Sequence, residues 1–366
     1  MEIKKASVWR SAAACLFFLL LIILGQRERP EVIKNYLKVN NPIVSNNVVS
    51  LVATFPGSLT DWRSENIEKT YKTIKDAGVK ISYLYYSWGE LEKSRGSYDW
   101  GNFDYNLDVI KENGLTAALT IKIINTNNLG ELPSGVNFTS FDDPVFAGRF
   151  KSFVMTLLQR REGTISYLFI GNEIDGYLRQ HNELIAGYAK LYKEVYDEVK
   201  IKYPDIKIGT VSAYHDAKKN NALDIIKIVG REGDIIGFSL YPQMLGDDPA
   251  DTPKYIEEMS TIAMGINKKF AVTESGWSTS GMGGSRWRQT QFIKELFSAY
   301  RKNKDSMEYL GLFNLHDFPR QINKMIATDL GLEGAGLIKW QGSLGLAYND
   351  GTPKPAWNAF LEEMSK

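Results

Sequence analysis

The feature that most restricts what this chain can fold into is a regular alternation. Short apolar segments rich in β-branched and aromatic residues recur at 48–55, 80–86, 116–124, 167–170, 206–213, 235–241, 270–273 and 309–315, and amphipathic stretches separate them. The clearest helix-period stretches are 64–77, 185–200 and 289–302. Near-continuous apolar strands alternating with helices imply a parallel sheet covered on both faces. Eight such units favour closure into a single (β/α)8 barrel over residues 48–366, an architecture that needs about 250 residues or more. An open dinucleotide-binding sheet is disfavoured, because the glycines at Gly331, Gly334 and Gly336 follow the last strand and not the first.

Charge narrows the partners. The 366 residues carry 44 basic and 43 acidic side chains, a formal charge of +1. Nothing in that balance attracts nucleic acid. Cys15 is the one cysteine, which excludes an intrachain disulfide and a cysteine-rich zinc site. The three histidines, His181, His215 and His316, form no metal-binding motif, so neither metal nor cofactor is expected.

In a barrel of this kind the chemistry sits where strands end at their C-terminal face. The fourth strand delivers Asn172-Glu173 and the seventh delivers Glu274. A carboxylate closing an apolar strand loses hydration unless it is paired or used. Two of them on one rim supply what glycosidic cleavage requires: a proton donor and an ionised partner, about 5–5.5 Å apart for retention of configuration and about 6.5–9.5 Å for inversion. The pairing alone leaves open which of the two donates the proton and which attacks.

The neighbours of these residues carry a family resemblance. Gly171-Asn172-Glu173 resembles the acid/base motif of the clan A glycoside hydrolases, whose catalytic carboxylates follow strands four and seven. Thr273-Glu274-Ser275-Gly276-Trp277 resembles the nucleophile strand of the endo-β-1,4-galactanases and plant-type endo-β-1,3-glucanases, and Phe238-Ser239-Leu240-Tyr241-Pro242 the strand-six end of the same families. The resemblance implies that Glu173 is the acid/base, with a raised pKa while the nucleophile Glu274 is charged, that Asn172 bonds the sugar 2-hydroxyl, that Tyr241 bonds the nucleophile and that Trp277 lies at the substrate. Trp88-Gly89-Glu90-Leu91-Glu92, Gly96-Ser97-Tyr98-Asp99-Trp100 and Phe103-Asp104 are similar to a signature of clan A β-galactosidases, xylanases and xylosidases. It implies a substrate-lining Trp88 and a structural Glu92. At strand eight many clan members place a Trp under the reactive sugar, whereas this chain reads Phe313-Asn314-Leu315-His316-Asp317-Phe318. Either His316 or Phe318 replaces that ring, or Trp340 reaches in from the following loop. His215, after strand five, is a further candidate for hydrogen bonding to sugar.

The implied activity is retaining hydrolysis of β-glycosidic bonds in an oligo- or polysaccharide by a monomer. Two alternatives stand beside it: a non-catalytic carbohydrate-binding barrel tethered to the envelope, and a transglycosidase that remodels wall or exopolysaccharide. Lys4, Lys5 and Arg10 precede an apolar run from Ala12 to Leu24. Such a run is short for a spanning helix, which needs about 20 residues. Residues 1–25 therefore read as a signal peptide, or as an N-terminal membrane anchor if uncleaved, and 26–47 as a linker. Either way the enzyme is expected to be secreted or to face outside the cytoplasm, with membrane contact only through that segment.

Overall fold

The computed structural model describes residue 33 and residues 35–58, 64–329 and 334–366. Residues 1–25, read as a signal peptide or anchor, lie outside the described residues, Cys15 among them. Eight parallel strands run β1 (Val49–Leu51), β2 (Ile81–Tyr86), β3 (Thr116–Asn125), β4 (Ile165–Asn172), β5 (Lys207–Ala213), β6 (Ile235–Leu240), β7 (Lys269–Ser275) and β8 (Met307–Leu312). Each pairs with its sequence neighbour, and β1 pairs with β8, so the sheet closes on itself as a (β/α)8 barrel. The main covering helices are α1 (Ser64–Asp76), α2 (Gly101–Glu112), α3 (Pro144–Arg160), α4 (Ile185–Lys202), α5 (Leu223–Gly230), α6 (Thr252–Met264), α7 (Arg286–Lys302) and α8 (Pro355–Met364).

The inside of the barrel is packed, not hollow. Ile81, Tyr83, Ala118, Phe169, Val211, Ile235, Ala271 and Tyr309 form one cluster, contributed by alternate positions of several strands. The Phe169 ring is accommodated by two glycines: a Cβ at Gly209 would lie 2.7 Å from it and one at Gly237 3.0 Å. Larger residues on β5 and β6 would push the ring off β4, the strand that ends at Glu173.

Strand limits shift from those read in the sequence. β1 is short because, past Leu51, the Thr54 N–H bonds back to the Val52 carbonyl and leaves the ladder. β4 and β7 run further than expected, through Asn172 and Ser275, carrying their polar ends into the sheet. The stretch read as linker lies against the barrel from residue 35 onward. Tyr36 Oη donates to Asn66 Oδ1 at 2.7 Å, Ile43 N–H to the Asp76 carbonyl at 2.8 Å, and Leu37 is buried. Among the described residues no helix is long and apolar enough to cross a membrane.

Candidate active site

At the end of β4, Gly171 takes a positive φ where a Cβ would lie 2.5 Å from the Ile174 side chain and 2.8 Å from the Tyr188 hydroxyl. The chain then turns through Glu173, which caps the short helix Ile174–Gln180 with φ 48° and ψ 48°. That left-handed conformation is uncommon for a residue with a side chain and persists only where its surroundings enforce it. The enforcement comes from the loop after β3. Thr126, also left-handed at φ 56°, donates its N–H to the Asn172 carbonyl at 2.9 Å and its Oγ1 to Glu173 Oε2 at 2.9 Å. Gly176 makes this approach possible, since a Cβ there would lie 2.6 Å from the Thr126 carbonyl oxygen. The second oxygen, Glu173 Oε1, accepts from Ser239 Oγ at 2.5 Å.

Glu274 reaches the same place by a different device. Ala271 faces the barrel interior, so strict alternation would turn Glu274 outward. A register shift between Val272 and Glu274 breaks that alternation and sets Glu274 opposite Ser239, which shares the inward parity of Ile235 and Gly237. Such irregularities re-aim side chains near functional sites. Glu274 is 8% exposed and accepts from Tyr241 Oη at 2.8 Å. Ser239 thus ties the two carboxylates together: its hydroxyl holds Glu173 and its backbone runs beside Glu274.

Burial, and next the charge of Glu173, raise the Glu274 pKa to about 7, while the Tyr85 and Tyr241 hydroxyls act in the opposite direction. Glu274 is the carboxyl pushed up, because it is the more buried one and hydroxyls, not a cation, face it. Asp175 adds to the local charge problem. It is fully buried, accepts the Ala213 N–H at 2.7 Å, and is raised to about 8 by burial, so it stays neutral beside Glu173.

Several residues singled out in the sequence gather around the pair. Asn172 is buried next to Glu173, with its Nδ2 donating to Asn125 Oδ1 at 3.3 Å and its Oδ1 left unpartnered. His215, in the short helix Tyr214–Lys219, lies edge-on to Tyr241 at 6.0 Å. Burial lowers its pKa, against the pull of Glu173, and its Nδ1 has no partner. Trp340 comes from the helix Ala335–Gln341 and packs edge-on to Tyr241 at 5.3 Å, with Leu344 beside it. Of the alternatives for the strand-eight ring, Trp340 is the one in contact with the residue that bonds Glu274.

Three expectations need correction. Trp88 is fully buried, ringed by Phe146, Phe150 and Phe153, with Nε1 donating to Glu92 Oε2 at 2.7 Å. It belongs to the layer between barrel and α3, and Glu92, paired with Arg149, anchors it there. Trp277 is 1% exposed and packs on Phe292 of α7 at 5.9 Å, so it has no face for a sugar. His316 is 2% exposed, and its Nδ1 donates to the Thr54 carbonyl at 2.6 Å. Burial brings its pKa down to about 4, which makes it a neutral residue of the packed β8 loop. Phe318 packs on Phe313 at 5.8 Å.

Reading the sequence missed Ser239, Thr126, Tyr85 and Asp175. Ser239 lay within the strand-six motif, and its parity with Ile235 was the signal that it faces inward. Among the described residues no group of three or more histidines, cysteines and acids stands where it could hold a metal.

Comparison with known proteins agrees with this architecture. A glycoside hydrolase family 42 model, described as "Beta-galactosidase", matches residues 59–122, the stretch that holds β2, most of β3 and the Trp88–Asp104 signature. No curated protein matches the chain. Solved structures do. An exo-β-1,4-mannosidase from Opitutaceae bacterium strain TAV5 superposes with a TM-score of 0.65 at 14% identity, over 90% of this chain and 62% of that one. An active-site mutant of the Rhizomucor miehei β-1,3-glucanosyltransferase, in complex with laminaritriose, gives 0.57 at 13% identity, over 85% and 97%. A family 39 glycoside hydrolase from Bacteroides cellulosilyticus WH2 gives 0.59 at 14% identity, over 87% and 63%. The chain spans less than two thirds of the mannosidase and of the family 39 enzyme. The family model covers the strand-two signature, and these neighbours share the barrel fold.

Proposed function

We propose that this chain is a retaining glycoside hydrolase acting on β-glycosides, with Glu173 as acid/base and Glu274 as nucleophile. The observation that carries the reading is the convergence of two strand-end carboxylates on Ser239, one through its hydroxyl and one through strand register. The barrel fold and the β-galactosidase family match support it.

In the first step the leaving oxygen takes the proton of Glu173 as its bond to the anomeric carbon breaks, and the Glu274 carboxylate bonds to that carbon from the other side. In the second step Glu173, now ionised, takes a proton from water. The water oxygen bonds to the anomeric carbon, and the ester to Glu274 breaks with net retention. The first step needs a proton on Glu173 and a negative charge on Glu274. Tyr241 and Tyr85 favour it by stabilising negative charge on Glu274. Asn172, His215 and Trp340 surround the sugar. An acceptor sugar in place of water would make the same site a transglycosidase, the activity named for the Rhizomucor miehei neighbour. Residues 1–25 act as a signal or anchor that puts the barrel outside the cytoplasm.

The test is kinetic. On a panel of aryl β-glycosides and β-glucans, galactans, xylans and mannans, Glu274→Gln is expected to abolish turnover. Glu173→Ala is expected to spare substrates with good leaving groups and to be accelerated by azide. Wild-type rates in Glu274→Gln would remove the assignment. Binding without turnover by the wild type would favour a non-catalytic barrel, and analysis of products separates hydrolysis from transfer.

A further inference from the structure

Glu173 is held from both sides in a way the proposed reaction does not by itself require. Each carboxyl oxygen accepts one hydroxyl, Oε1 from Ser239 and Oε2 from Thr126. The two donors stand on opposite sides of β4: β6 carries Ser239 and the loop after β3 carries Thr126. An ionised carboxylate offers about four acceptor positions. Two hydroxyls therefore fix the plane of the group and still leave one lone pair on each oxygen for the leaving group or for water. The supports of these donors are equally specific. Ser239 is fully buried in β6. Thr126 is fixed by its own N–H on the Asn172 carbonyl and by the missing side chain at Gly176.

We infer that Ser239 and Thr126 are positioning residues for the acid/base, orienting the Glu173 carboxyl for proton transfer. This rests on the reading of Glu173 given above. Both act through the Glu173 carboxyl and carry no proton of the reaction themselves. Their effect should be confined to the steps in which Glu173 moves a proton. The acidic proton occupies the free position and points at the leaving oxygen while each hydroxyl goes on donating to the other lone pair of its oxygen, so the carboxyl keeps its orientation in both halves of the cycle.

The experiment compares two probes, the 2,4-dinitrophenyl and the phenyl β-glycoside of a sugar that the wild type turns over. Dinitrophenolate leaves without a proton, and phenolate needs one. Misplacing a catalytic group by about 1 Å can lower a rate about 100-fold. Ser239→Ala is expected to lower kcat/KM for the phenyl glycoside about tenfold or more while changing the dinitrophenyl value by less than about threefold. Thr126→Ala should do the same, and Thr126→Ser, which keeps the hydroxyl, should restore the wild-type ratio. A merely structural role would lower both rates together, or neither, and an unchanged ratio in both alanine variants overturns the inference. If the wild type turns over no β-glycoside, the glycosidase reading fails first, and this inference falls with it. Turnover with unchanged ratios removes the inference alone.

Discussion

The burial of Glu274 makes a prediction about stability that is independent of any substrate. In the unfolded chain the group ionises near its ordinary value of 4.5, whereas in the folded protein burial and the charge of Glu173 hold its proton until about pH 7. Across that window the folded state binds more protons than the unfolded one, so the contribution of this group to stability falls as pH rises and levels off above pH 7. At roughly 1.4 kcal/mol per pH unit, the rise from 4.5 to about 7 corresponds to about 3 kcal/mol. Glu274→Gln removes the charge and keeps an oxygen to accept from Tyr241. Below pH 4.5 the variant and the wild type should unfold with nearly equal free energy. At pH 8 the variant should be the more stable, by up to about 3 kcal/mol, although it is inactive. Urea denaturation followed by tryptophan fluorescence from pH 4 to pH 8 measures this. A difference that stays constant with pH would refute the argument, because it would mean that Glu274 is not held in an environment that resists its charge.

Other consequences follow from the same geometry. Asp175 is raised from 3.8 to about 8, so wild-type stability should also fall with pH over that window; Asp175→Asn should flatten this slope, and equal slopes in the same denaturation series would contradict it. Trp88→Ala should destabilise the fold by about 3–5 kcal/mol through the cavity it opens, yet leave kcat/KM of the folded protein within about twofold. Trp340→Ala should lower kcat/KM at least about tenfold on the same substrate. Comparable kinetic losses in the two tryptophan variants would put Trp88 back in the cleft.

Much of this was legible in the residues. The alternation of apolar strands and amphipathic helices is a local signal, and it placed all eight barrel strands and the two strand ends that carry glutamates. What escaped was set by long-range packing. Trp88 and Trp340 are both tryptophans in the loops and short helices beyond strand ends. Only the approach of Phe146, Phe150 and Phe153 from α3 buries the first, and only the contact with Tyr241 draws the second to the carboxylates. No local pattern encodes either meeting. The register shift before Glu274 is likewise invisible in Ala271-Val272-Thr273, which reads as an ordinary strand. Ser239 and Thr126 escaped because a hydroxyl in a strand or loop has many uses. Their role emerges from two distances to one carboxyl group.

The central claim is that Glu274 bonds to the anomeric carbon, and it can be tested by stopping the reaction there. A 2-deoxy-2-fluoro β-glycoside with a dinitrophenyl leaving group, in the sugar the enzyme prefers, forms the ester quickly and releases it slowly. Digestion of the inactivated protein and mass spectrometry should find one fluoroglycosyl group, on the peptide that contains Glu274. A label on any other carboxylate, or time-dependent inactivation with no label on that peptide, would contradict the account.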